Sequence, residues 1–295
     1  MAINYTTDDR CTITVHDGVF HADDVAAAAL WYLYCKRVYS NDITIIRTRE
    51  PEKFRGVVVD VGELKYDHHG SRYELDPDGV PYSGCSRLWE DIGGLLAGNE
   101  EVQKRFKKEV LDPISKIDNG LHLEPTEKHI LNWVPAFVPG YESSRNMDDD
   151  FLYAETNAAA IFYHKLKSIQ ERVKAEAEMN YRIYTYGDND VAVIKPGMDT
   201  LLYMLTPYTP KFAVLEVKEA GKKKYYVLTI PSDENDPFSK KMPLPEEWAG
   251  LRDEELADVS GFPSAIFCHK ARFIAGFGTF EDAMAAARYA VAQAT

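Results

Sequence analysis

The sequence shows no long hydrophobic run and no C-x-x-C pair, and its first residues do not have the pattern of a leader peptide. Among its 295 residues no window approaches 18 consecutive apolar residues, so no membrane span is expected. Its four cysteines are scattered without a C-x-x-C pair, which argues against a disulfide framework. The first residues are acidic and carry neither a basic flank nor an apolar segment. These absences predict a cytoplasmic protein, with an organellar or nuclear address still open.

Positive charge is also scarce. The chain has 34 Lys and Arg against 47 Asp and Glu, which gives a formal net charge of −13 at pH 7. This balance argues against a broad basic surface for duplex DNA or for an anionic membrane. It does not exclude an enzyme that cleaves nucleic acids, because bound divalent cations would cancel several carboxylates and would themselves attract phosphate.

The first half of the chain alternates short apolar strands with helices. Strands are predicted over Cys11–His16, Ile43–Arg47 and Val57–Val61, and helices over Asp23–Lys36 and Ser86–Leu96. Strands that are apolar on both faces and separated by helices favour a mostly parallel sheet that is covered on both sides. We therefore expect an α/β domain over residues 1–150.

The second half changes character after a long helical stretch. Residues 151–182 are predicted as a connector helix, and residues 183–295 as a smaller α+β domain, with a cleft between the two domains. Antiparallel strands and two covering helices are expected in this domain. The strands are predicted over Ile183–Tyr186, Asp190–Lys195, Phe212–Lys218, Lys224–Ile230 and Ala265–His269, and the helices over Glu246–Ser260 and Glu281–Gln293.

Histidines and aspartates cluster where the predicted strands and helices end. The stretch Lys65–Gly70 places an acid directly before two imidazoles, and similar groups follow two strands and one helix. Such positions are the usual location of sites in open α/β sheets. The candidates are His16, His21, Asp23, Asp24, Asp60, Asp67, His68, His69 and Asp118.

Imidazole nitrogens combined with carboxylate oxygens suit Mn²⁺ or Fe²⁺, with Co²⁺, Mg²⁺ and Zn²⁺ as alternatives. Five or six such groups exceed what one tetrahedral zinc needs. They would suit two cations that share a bridging carboxylate, roughly 3.5–4 Å apart as in two-metal hydrolases. The chemistry that this predicts is hydrolysis at phosphorus.

Six segments follow one another in a fixed order along the chain: His16 with His21-x-Asp23, Arg47–Lys53, Val58–Gly62, Tyr66–His69, Ile117–Gly120 and Met242–Leu256. This ordered set resembles the DHH phosphoesterase superfamily and, within it, the melanocyte-proliferating-gene (Myg) family. The resemblance runs almost from end to end of the chain.

The resemblance implies metal-dependent 3′→5′ exonuclease activity on RNA, and for the superfamily manganese-dependent cleavage of phosphoesters and pyrophosphate. Asp60 would bridge the two cations, His69 would face the scissile phosphate, and Asp67 would orient a neighbouring imidazole. Asp24 competes with Asp23, since sequence does not separate adjacent carboxylates. The implied metal ligands are His16, His21, Asp23, Asp60, His68 and Asp118.

The chain departs from the family pattern near its end. Arg272 and Ala275 stand where the family's glycine-rich turn would have glycine. His269 and Arg272 are the predicted substrate contacts, since Arg can bind phosphate with two hydrogen bonds. His122, His129 and His164 are interpreted as bystanders.

The predicted substrate is single-stranded RNA or a short oligonucleotide. A phosphohydrolase of small molecules such as nucleotides or pyrophosphate remains an alternative, as does a non-catalytic binding or regulatory protein with the same fold. No membrane partner is expected, and the oligomeric state is open, with a homodimer as one option.

Overall fold

The computed structural model describes residues 9–69, 74–140, 143–186, 190–234, 236 and 238–293, with the backbone alone for 180–186. The chain forms two compact units, Met1–Val173 and Lys174–Thr295. Each unit contains one sheet with helices, which confirms the α/β prediction. In the described part of the chain, no helix combines the length and the apolar character that a membrane span requires. Residues 1–8, on which the predicted location depends, lie outside the described residues.

The sheet of the first unit is parallel, as predicted. It has the order β2-β1-β3, formed by β1 (Thr12–Val15), β2 (Thr44–Arg47) and β3 (Val57–Val58). The central strand β1 is buried along its whole length, which explains its apolar and β-branched sequence. Strand β3 has only two residues and is shorter than predicted, because the chain turns at Asp60, which has a φ of +57°.

Helices follow the strands of this sheet along the chain. They are α1 (Ala22–Tyr39), α2 (Gly84–Ala97), α3 (Glu100–Phe106), α4 (Asp112–Asp118) and α5 (Met147–Tyr186). The residues that connect α3 to α4, Lys107–Leu111, form a π-helical turn. The alanines at positions 26–29 of α1 are fully buried, and their small side chains let the helix approach its neighbours closely.

Helix α5 corrects one prediction. It continues to Tyr186, so the strand predicted over Ile183–Tyr186 is wrong. Its Ile and Tyr residues favour strands locally, but adding residues to an existing helix avoids the cost of nucleation. The two compact units part within this helix, between Val173 and Lys174.

The sheet of the second unit has the order β4-β5-β6-β8-β7. All neighbouring pairs are antiparallel except β4 and β5, which are parallel. Sequence reasoning missed β8. The strands are β4 (Val191–Ile194), β5 (Phe212–Glu219), β6 (Lys222–Thr229), β7 (Ala265–Cys268) and β8 (Ile274–Phe277).

Two helices accompany this sheet, α6 (Asp253–Ser260) and α7 (Phe280–Ala292). The single helix predicted over Glu246–Ser260 is wrong in its first half, where Glu246–Trp248 forms only a 3-10 turn. Gly250 has a φ of +82°, which interrupts any helix between this turn and α6.

Candidate metal centre

His16 is the first residue beyond the end of the central strand β1. Its side chain is buried, and Nε2 lies 2.8 Å from Asp24 Oδ2 and 3.7 Å from Asp60 Oδ2. Nδ1 lies 2.8 Å from the carbonyl oxygen of Asp17, which can only accept a hydrogen bond, so Nδ1 is the donor. Nε2 of the neutral ring is then free to bind a metal, or it carries a second proton beside the carboxylates.

The first turn of α1 supplies three groups. His21 precedes the helix, and its backbone N–H donates to Asp24 Oδ2 at 3.0 Å. Asp23 Oδ1 accepts from the N–H of Asp24 at 2.9 Å, and Asp23 Oδ2 accepts from that of Gly84 at 3.3 Å. Both carboxylates are fully buried. The structure therefore brings both of the competing aspartates into the cluster.

Gly84 is a member of the site that sequence reasoning did not single out. It begins α2, and a Cβ at this position would lie 3.0 Å from that of Asp60. The bare backbone lets the start of α2 approach Asp60 closely while its N–H reaches Asp23. In the sequence, Gly84 is visible only as part of the capping turn Ser83–Gly84 before α2. A glycine has no side chain that would mark it as a site residue.

Asp60 and Asp118 come from different parts of the fold and meet at His68. Nε2 of His68 lies 3.0 Å from Asp60 Oδ1 and 3.0 Å from Asp118 Oδ2. Asp118 is the last residue of α4, and Asp60 follows the end of β3. The backbone N–H of Asp60 donates to the carbonyl of Tyr66 at 3.1 Å, which holds the two sides of this loop together.

His69 and Asp67 form a separate pair at the edge of the cluster. Nδ1 of His69 lies 2.9 Å from Asp67 Oδ1 and 3.3 Å from Asp60 Oδ1, and 61% of the His69 side chain is exposed. Burial raises the pKa of Asp67, but hydrogen bonds from the N–H groups of His69 and Glu63 and from the His69 ring lower it below its usual value. Asp67 is therefore a carboxylate that holds Nδ1 of His69 as a donor.

Burial and mutual repulsion govern the charges of the cluster. Burial, and then the charges of Asp60, Asp118 and Asp24, raise the pKa of Asp23 well above its usual value. Burial and the charge of Asp24 raise the pKa of Asp60 to about 6, although His68 opposes this shift. Burial lowers the pKa of His68, but the carboxylates of Asp118 and Asp60 outweigh it and raise this pKa to about 10. The cluster favours positive charge at its centre.

The donor atoms fit a divalent cation. Four buried atoms of the cluster have no hydrogen-bond partner among the described residues: Asp24 Oδ1, Asp60 Oδ1, His68 Nε2 and Asp118 Oδ2. Atoms from overlapping sets of three residues lie within 4.8 Å of one another. These sets are His16-His21-Asp24, His21-Asp23-Asp118, Asp23-Asp24-Asp60 and Asp60-His68-His69. Nitrogen and oxygen donors of this kind can hold Mn²⁺, Fe²⁺, Mg²⁺ or Zn²⁺.

The two predicted substrate contacts lie in the turn between β7 and β8 of the second unit. The N–H of Arg272 donates to the carbonyl of His269 at 2.7 Å, and Arg272 has a φ of +59°. Glycine adopts this left-handed conformation without strain. The conformation therefore fits the glycine that the family's glycine-rich turn would have at this position. Arg272 Nη1 also donates to the carbonyl of Leu244 at 3.4 Å. Their contact with substrate stays a prediction.

Comparison with known proteins identifies the family. The family model described as MYG1_exonuc, "Uncharacterised protein family (UPF0160)", matches residues 12–291. The human MYG1 exonuclease is 27% identical to this chain over 95% of the chain and 86% of the relative. The MYG1 protein C694.04c of Schizosaccharomyces pombe is 26% identical over 95% of the chain and 97% of the relative.

A solved structure, the pGpG-specific phosphodiesterase PggH from Vibrio cholerae, aligns with 97% of this chain and 98% of its own. The TM-score of 0.30 and the identity of 12% are too low to support an argument. The family match itself spans nearly the whole chain and confirms the Myg resemblance and the predicted class, a hydrolytic phosphoesterase or nuclease. The chain therefore belongs to the MYG1_exonuc family (UPF0160).

Proposed function

We propose that this chain is a 3′→5′ exonuclease that hydrolyses the phosphodiester bonds of single-stranded RNA with two divalent cations, Mn²⁺ first among them. The observation that carries this proposal is the set of buried, unpartnered ligand atoms on Asp24, Asp60, His68 and Asp118. An unpaired buried polar atom costs about 1–3 kcal/mol, so four in one cluster need a function. Several relatives are named exonucleases.

Asp60 is the proposed bridge between the cations because its two oxygens approach different imidazoles. Oδ2 lies 3.7 Å from His16 Nε2, and Oδ1 lies 3.0 Å from His68 Nε2. The proposed ligands on the side of His16 are His21 and one or both adjacent aspartates. Asp118 is proposed as a ligand that reaches both sides, since it lies 3.0 Å from His68 Nε2 and has an oxygen within 4.8 Å of donor atoms of His21 and Asp23.

Two bound divalent cations supply positive charge for the phosphate oxygens and lower the pKa of water toward neutrality. The protein's own part is to hold and orient the reacting groups. His69 is exposed enough to meet substrate, and Asp67 fixes its Nδ1, so that Nε2 is available to a phosphate oxygen. A protonated His69 would stabilise the negative charge that develops on the phosphoryl oxygens.

The test compares defined substrates after removal and restoration of metal. Single-stranded RNA labelled at its 5′ end should yield progressively shorter labelled fragments with Mn²⁺, and RNA labelled at its 3′ end should release labelled mononucleotide at once. DNA of the same sequence, a dinucleotide and pyrophosphate complete the set. Preference for the last two would favour the small-molecule phosphohydrolase, and cleavage of none would favour the non-catalytic alternative.

A pair of variants tests the role of the cluster. Asp60→Asn should abolish manganese-dependent hydrolysis while its far-UV circular dichroism stays that of the wild type. Asp78→Asn is the matched control because Asp78 is an exposed aspartate outside the cluster. Full activity in Asp60→Asn would exclude the bridging role and with it the two-cation mechanism.

A further inference from the structure

An open cavity of about 670 Å³ adjoins the metal centre in the first unit. Its wall is mainly apolar and includes Phe20, Ile117, Leu131 and Val138. A volume of this size is typical of pockets that hold small ligands or parts of larger ones. The proposed metal ligands use only one corner of it.

That corner is shared with the cluster. His21 and Asp118 line the cavity, and each places a donor atom within 4.8 Å of the other and of Asp23. A ligand that fills the cavity therefore lies directly beside two of the proposed metal ligands. Among the described residues that form the wall, neither Lys nor Arg occurs, so the cavity does not itself provide a phosphate site.

His129 gives this apolar wall an oriented donor. The backbone N–H of Leu131 donates to His129 Nδ1 at 3.2 Å, so Nδ1 carries no proton. Burial also lowers the pKa of His129 below its usual value, which favours the neutral ring. In the neutral ring the proton must then lie on Nε2, so that Nε2–H is the donor of this cavity-lining side chain. The amide of Asn132 also lines the cavity.

We infer that this cavity is the base subsite, which takes the uncharged nucleobase of the 3′-terminal nucleotide while its phosphate lies at the metal centre. His129 Nε2–H donates to a ring nitrogen or carbonyl oxygen of the base, and the apolar side chains remove the faces of the base from water. This inference rests on the proposed function. It makes His129 a residue that recognises substrate, where sequence reasoning had interpreted it as a bystander.

The experiment measures how much the 3′-terminal base contributes to kcat/KM. Two short RNAs are compared, one with a normal 3′-terminal nucleotide and one whose 3′-terminal ribose is abasic. The ratio of their kcat/KM values reports recognition of the base and cancels effects on chemistry at the metal centre. For the wild type this ratio should be well above one.

Variants of His129 separate the donor from the fold. His129→Asn keeps an acceptor for the N–H of Leu131 but cannot place a donor where Nε2 lies, so the ratio should fall about three- to tenfold. His129→Gln carries an amide donor at the reach of Nε2 and should restore part of the loss. Val138→Trp fills the cavity and should bring the ratio close to one. His122→Phe, a change of an exposed histidine outside the cavity, should keep the ratio of the wild type.

Each result has one meaning. If the wild type cleaves both RNAs with equal kcat/KM, or if Val138→Trp keeps the full ratio, the base subsite is wrong while the proposed function stands. If the wild type cleaves neither RNA with any of the metals, the proposed function itself fails. Circular dichroism and thermal unfolding of each variant identify any variant that has lost its fold. If Val138→Trp does not fold, the ratio in the His129 variants tests the base subsite, and if the His129 variants do not fold, Val138→Trp tests it.

Discussion

His68 Nε2 lies 3.0 Å from Asp118 Oδ2, yet neither atom has a hydrogen-bond partner of good geometry among the described residues. The same is true of Asp60 Oδ1, at 3.0 Å from the same nitrogen. A shared cation would satisfy all three atoms at once.

This relationship predicts that metal stabilises the fold. Thermal unfolding of chelator-treated protein should shift to higher temperature when Mn²⁺ is added, because a ligand that binds only the folded state contributes about 2.7 kcal/mol at a hundredfold excess over its Kd. Asp118→Asn and His68→Gln should each lose most of this shift, and Asp78→Asn should keep it. Equal shifts in all four proteins would show that the added metal binds elsewhere.

The close packing at Gly84 predicts that Gly84→Ala weakens metal binding, although this substitution removes no ligand. In Gly84→Ala the new Cβ would lie 2.8 Å from Val59 Cγ1 and 3.0 Å from the Cβ of Asp60, so that the start of α2 or Asp60 must move. We expect a loss of about 1–3 kcal/mol in the free energy of unfolding and weaker binding of Mn²⁺, measured by urea unfolding and by calorimetric titration.

The control for this change lies on the same helix. Gly94 is exposed, and a Cβ there would meet only Gln103 Oε1, at 3.4 Å. Gly94→Ala should therefore leave metal binding unchanged and stabilise α2 by up to about 1 kcal/mol, the difference in helix propensity. Normal Mn²⁺ affinity in Gly84→Ala would contradict the tight packing of α2 against Asp60.

Glu155 of α5 predicts a pH dependence of stability. Burial raises the pKa of this carboxyl to about 7, although a hydrogen bond from the hydroxyl of Thr156 opposes the shift. The folded state therefore holds a proton that the unfolded state releases near pH 4.5, and the free energy of unfolding falls as pH rises from about 4.5 to 7. Between pH 5.5 and pH 8, ionisation of Glu155 should lower the free energy of unfolding by about 2 kcal/mol.

Urea unfolding at these two pH values tests the effect. Glu155→Gln should lose less stability than the wild type on going from pH 5.5 to pH 8, because its amide does not ionise. Glu171→Gln, a change at an exposed position on the same helix, should behave as the wild type does. If Glu155→Gln loses as much stability between pH 5.5 and pH 8 as the wild type does, then Glu155 stays ionised throughout this range.

Regular periodicity made the first unit accessible to prediction. The β-branched strand before His16 and the alanine-rich helix after His21 both formed near their predicted bounds, since burial on both faces leaves a clear pattern. Strand β8 was missed because its Ala275 and Gly276 have weak strand propensity. It forms because β6 and β7 both pair with it, and no local window contains those partners.

The sequence by itself determined which kinds of donor atom this protein offers and at which ends of strands and helices they stand. Only the tertiary structure decided that Asp23 and Asp24 both enter the cluster, that the N–H of Gly84 reaches Asp23, and that His129 lines a cavity shared with Asp118. The reason is physical. Propensity and periodicity act over a few neighbouring residues, whereas a site in which Asp60, His68 and Asp118 meet depends on how separate elements pack.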